Sequence, residues 1–215
     1  MERLNQTVVD IEFLLISVVQ GFALSALASS AVTIVANFQW QYLLYVISAF
    51  LLILIFWSQA IMHVLGFIRW PLDMTHNFLY FLAGLVEVMA FSQMNNPVMW
   101  FGLITLFVVV SALLYLYDLR MIKDCKNDMQ KSPSGRALYK DLYDEQVYDL
   151  KYFVPSGLLF NLAALYLVVS YRHLFLTNKY HVILIALQTV FSIIILTRTL
   201  NSFKRRAVLI EKTID

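Results

Sequence analysis

Residues 51–94 read LLILIFWSQAIMHVLGFIRWPLDMTHNFLYFLAGLVEVMAFSQM, and this stretch decides the fold. Its first arm is apolar as far as Trp57, then carries Ser58, Gln59 and His63, and ends at Arg69, Trp70 and Pro71. Proline cannot donate to a helix ladder, so the chain turns there. The second arm opens with Asp73, His76 and Asn77, and Glu87 then stands well inside an apolar run. At membrane depth an ionised carboxylate costs several kcal/mol unless it is paired, hydrated or protonated. Glu87 is therefore expected to be neutral, wet, or bonded to a polar group such as Asn161 or Gln188.

The rest of the chain fits the same membrane setting. Sixty per cent of its residues are hydrophobic, 14% are charged and the mean hydropathy is +0.71, whereas a soluble domain carries about 25% charged residues. Apolar runs long enough to cross a bilayer recur at about residues 11–34, 42–67, 72–94, 98–117, 154–170 and 181–200. The expected fold is all-α, a single polytopic membrane domain of six transmembrane helices over residues 1–215. The first run is too long and too weakly basic at its start for a cleavable leader. Asn37, Gln39 and Trp40 precede the second run as an interfacial pairing. Asn95, Asn96 and Pro97 turn the third into the fourth, which closes on Asp118 and Arg120.

Between residues 118 and 151 the composition changes: seven Lys and Arg face seven Asp and Glu, broken midway by Ser132, Pro133, Ser134 and Gly135. This is expected to be the one substantial aqueous segment, a connector open to a soluble partner. Leu138 and Leu142, with Tyr139 and Tyr143, recur at i, i+4, which predicts a short amphipathic helix at the membrane surface or a solvated one. Six spans starting inside place fourteen of the sixteen cations on the cytoplasmic side and leave Arg172 and Lys179 outside. The positive-inside rule then sets both termini in the cytoplasm, and a bacterial cytoplasmic (inner) membrane is the expected location.

Several functions are excluded or disfavoured by residue type. A net charge of +2, with cations placed as orientation requires, argues against nucleic acid as a partner. The single Cys125 rules out an intrachain disulfide and a thiolate metal cluster. Phosphate loops, nucleophile elbows and His-x-x-x-His zinc motifs are missing. His63, Asp73, His76 and Glu87 have the side chains that metal or acid–base chemistry uses, and Asp73, His76, Asn77 and Tyr80 share a helix face. Glu87, however, lies about three turns, roughly 16 Å, beyond His76. The four are not expected to form one cluster, so no metal, cofactor or catalytic residue is assigned, and a hydrogen-bonded, helix-registering role is expected for the polar end of the hairpin.

In the first run Ser17, Gly21, Ser25 and Ser29 recur every four residues, with Gln20 beside them. Such a stripe serves close helix packing or lines a pore. The run Gln20-Gly21-Phe22-Ala23-Leu24, the pair Trp57 and His63, and Asn77 resemble marks of the transmembrane protein 175 potassium channel family over residues 1–95. Val18, Val19 and Gln20 stand where that family has Phe-Ser-Asp. The resemblance implies six spans with cytoplasmic ends and an oligomeric channel whose first helices surround the pore. Phe22, Leu24 and Leu27 would then form an apolar gate, and Ser17, Gln20 and Ser25 the wetter lining. An oligomeric ion channel or ion sensor, cation-related, is the expected function; a non-conducting anchor that recruits a soluble partner through residues 118–151, as in bacterial signalling or defence systems, is the alternative.

Overall fold

The computed structural model describes residues 2–66 and 73–214, without the side chains of Glu2, Leu4, Asn5 and residues 210–214. All regular structure among them is helical: α1 (Glu2–Ala36), α2 (Leu43–Gly66), α3 (Met74–Phe91), α4 (Pro97–Asp124), the single turn α5 (Lys126–Met129), α6 (Pro133–Tyr148), α7 (Val154–Ser170) and α8 (His181–Ile214). Six segments are long and apolar enough to cross a membrane: Gln6–Ala36, Trp40–Gly66, Met74–Phe91, Pro97–Asp124, Pro133–Ser170 and His181–Leu209. The turn expected at Arg69, Trp70 and Pro71 lies outside the described residues, as does the side chain of Lys212.

Local chemistry sets the helix ends. Asp73 caps α3, accepting from the backbone N–H groups of Thr75 (2.9 Å) and His76 (3.1 Å). Asn96 caps α4 through Met99 N–H, with Pro97 in the first turn, where its missing N–H is no loss. Ser132 caps α6 through Gly135 N–H, again ahead of a proline.

Two expectations change here. The fourth helix does not close at residue 117 but runs to Asp124, because Leu114, Asp118 and Ile122 continue one buried face at four-residue spacing. The segment 118–151 is helical and divided: residues 123, 124, 126–128, 130 and 131 are exposed, whereas Leu138, Leu142, Glu145 and Asp149 are buried. The helix from Pro133 continues through a π-helical turn, Asp149–Phe153, into α7, whose first turn holds Pro155. Leu138 and Leu142 do not lie on a membrane surface; they pack into a core with Val8, Val64 and Ile122.

The helices surround a centre in the order α1, α2, α8, α7, α4, α3, with α6 across α4 and the distal half of α8. Lipid tails are as apolar as leucine, so close packing and polar contacts, rather than escape from water, hold such helices together. Accordingly Ala23, Ala49, Ala83, Ala90 and Ala164 are wholly buried at the contacts. Outside, Leu14, Phe22, Phe78, Leu85, Leu159 and Ile183 each expose more than half their area, an apolar surface suited to lipid.

Candidate functional site

The site is built from the ends of three helices. Tyr117 on α4 donates to Asp73 Oδ2 at 2.7 Å, tying the capped start of α3 to α4. The next residues inward then meet: His76 Nε2 lies 3.2 Å from Asp118 Oδ1. From the last turns of α2, His63 Nδ1 reaches Asp118 Oδ2 at 3.0 Å. The His63 ring stands edge-on to Tyr115, centroids 6.2 Å apart. Asp118 has no exposed surface and each imidazole exposes only 6%.

The first helix completes the surroundings. Glu12, 3% exposed, lies beside Asn77 and His76. Four successive long helices thus each send a titratable group to one buried locus. A carboxylate withdrawn from water costs several kcal/mol unless compensated, and here the compensating groups are two imidazoles. Such a set can hold protons between its members, or a cation.

A cavity of about 150 Å³ adjoins this locus. Glu12, His63 and His76 line one part of it, Asp149 and Arg198 another, and Asn161 with Gln188 a third. The last two belong to a buried chain: Trp100 Nε1 donates to Gln188 Oε1 (3.0 Å), Gln188 Nε2 to Asn161 Oδ1 (3.3 Å), and Asn161 Nδ2 to the Gly157 carbonyl (2.8 Å).

Beyond the cavity, α8 is clamped to α6 by charge. Arg206, 4% exposed, donates to Asp141 Oδ2 (2.8 Å) and Glu145 Oε2 (2.6 Å). Arg205 meets the same two carboxylates, and Arg198 pairs with Asp149 while lying over the Tyr148 ring. Ser202 also donates to Glu145. Acidic residues assigned by sequence to an aqueous connector are therefore engaged within the fold.

The hairpin residues divide as their spacing predicted, with one addition. His63, His76 and Asn77 come together, Asp73 stands beside them as the cap, and Glu87 lies apart. Asn161 and Gln188 do not reach Glu87; they bond each other. Glu87, 1% exposed, faces Gln20 of α1 instead, although no atom of either side chain has a hydrogen bond of normal geometry. The first-helix set splits: Ser17, Gly21, Phe22, Leu24 and Ser25 are exposed, whereas Gln20 and Leu27 face the bundle. A Cβ at Gly21 would meet nothing within 4 Å, but one at Gly84 would come within 2.2 Å of Val19 Cγ1. The tight approach of α1 within the chain is at Gly84, not at the serine stripe.

Asp118 and Glu12 are the residues that sequence reasoning missed. Asp118 sat beside Arg120 at the end of an apolar run and read as a boundary; its four-residue spacing from Leu114 and Ile122 was the available signal. Comparisons with protein-family models, curated proteins and solved structures give no match for this chain.

Proposed function

We propose that this chain is an ion-handling membrane protein, an oligomeric cation channel or cation sensor, whose ion-responsive centre is the His63–Asp118–His76 cluster. One observation carries the reading: a wholly buried carboxylate bridged by imidazoles from two other helices, bordering a cavity that Glu12 also lines. Burial of that much ionisable chemistry is costly in a bilayer and is found where ions or protons are handled. The exposed stripe Ser17, Gly21 and Ser25 supports the oligomer, because small side chains permit a second copy to approach. The resemblance to the potassium channel family points the same way.

The test is purified protein in liposomes and planar bilayers, with oligomer size measured in parallel. Wild type is expected to pass cations, or to change its melting temperature with the cation supplied, and Asp118→Asn to lose that response. No flux, current or cation-dependent shift from well-assembled protein overturns the reading. It would leave the anchor, which the exposed charges Lys123, Asp128 and Lys131 favour as a docking surface.

A further inference from the structure

We infer that His63, His76 and Asp118 form a binding site for a divalent first-row transition metal such as zinc. The inference rests on the cation-handling reading above and names the cation class. The three donor atoms, one from each residue, lie within 4.8 Å of one another. A metal about 2.0–2.1 Å from each of three tetrahedral ligands sets those ligands roughly 3.3 Å apart. The two Asp118 contacts, 3.0 Å from His63 to Oδ2 and 3.2 Å from His76 to Oδ1, put one imidazole on each oxygen of the carboxylate, so a small turn of the carboxyl brings a single oxygen to both nitrogens.

Each Asp118 oxygen faces one imidazole nitrogen at hydrogen-bond distance. Two imidazoles converging on one buried carboxylate are the arrangement that either shares protons or, once the nitrogens are deprotonated, holds a cation between the same three groups.

Donor type decides the metal class. Two imidazoles and one carboxylate suit zinc, ferrous iron or cobalt. Calcium takes six to eight oxygens and magnesium a near-octahedral oxygen shell, so both are disfavoured. Outside the ligands, the buried amide of Asn77 lies beside His76, where polar groups orient a ligating imidazole. The Glu12 carboxyl lines the cavity beside both histidines. Because both histidines border the cavity, a fourth position remains for water or a further ligand, as in metal sites that exchange or respond rather than only brace a fold.

The experiment uses the full chain in nanodiscs, stripped with EDTA, loaded with zinc chloride or cobalt chloride, desalted and assayed by elemental analysis. About one metal per chain is expected, and the cobalt form should show the visible ligand-field bands of an imidazole–carboxylate site. Asp118→Asn, His63→Gln and His76→Gln should each weaken binding more than about 100-fold, beyond the 10–100-fold typical of losing a ligand's hydrogen-bonded support. Glu87→Gln should bind as wild type does. Folded wild type that retains no stoichiometric metal overturns the site, as does binding that all three variants leave unchanged. Should the variants misfold, the wild-type cobalt spectrum alone decides: absent ligand-field bands refute it. Cation flux measured on the stripped protein separates the two claims. Flux without metal binding removes this site and leaves the ion-handling reading, while metal binding in a chain that passes no cations keeps this site and removes the channel.

Discussion

Glu87 and Asp73 show how two carboxyls on one helix meet opposite surroundings. Glu87 is buried against Gln20 with unsatisfied oxygens. Glu87→Gln is therefore expected to melt no lower than wild type, since an amide avoids the cost of burying a charge. Glu87→Leu replaces the polar neighbour of the buried Gln20 amide with hydrocarbon and is expected to lower the melting temperature in detergent more than Glu87→Gln does; equal melts for the two variants would show that Gln20 draws nothing from a polar group at 87. Asp73, just ahead of the span, is the contrary case. Burial alone would raise its pKa, but the N–H groups of His76 and Thr75 and the Tyr117 hydroxyl outweigh it, so the carboxyl is held below its ordinary value. A depressed pKa contributes stability that is present above the unfolded value, near pH 4, and is lost as pH falls through the folded one. Acid melts of wild type should thus show a loss below about pH 4 that Asp73→Asn reduces; parallel curves for the two proteins would refute that role. Glu87 was legible in the sequence because a lone acid in an apolar run stands out. Asp118 was not, because a charge at the edge of such a run looks like a boundary.

Among the elements, α1 carries two faces with different consequences. Its inner face meets α3 where Gly84 leaves no room for a Cβ beside Val19, while the Ser17–Gly21–Ser25 stripe lies outside. Gly84→Leu should destabilise the single chain by about 1–3 kcal/mol or more through overpacking. Gly21→Leu should leave the chain's melt unchanged and alter only the size of the oligomer. Size-exclusion chromatography with light scattering, beside thermal melts, distinguishes the two; equal effects from both substitutions would contradict this division of faces. Helix number was readable because apolar length reports directly on bilayer-scale elements. The fate of residues 118–151 was not, since a mixed run of acids and bases looks the same whether it is solvated or neutralised by a neighbouring helix such as α8. Arg198, Arg205 and Arg206 read as orientation signals, and the structure uses them to bind Asp141, Glu145 and Asp149.

For the whole molecule, the cation asymmetry predicts that both ends face the cytoplasm. Tags at each terminus should resist external protease on sealed cells and be cut once the membrane is opened; cleavage of either from outside overturns the six-span orientation. The bridging of α2, α3 and α4 through one carboxylate bears finally on how the chain is made. Helices enter a bilayer in order of synthesis, and Glu12, His63 and His76 all precede Asp118. Until α4 emerges, the earlier helices hold two imidazoles and a carboxyl without the group that joins them. Their release into lipid is costly before that point. A chain cut short before residue 118 is therefore expected to hold its first three helices together less firmly than the full chain does.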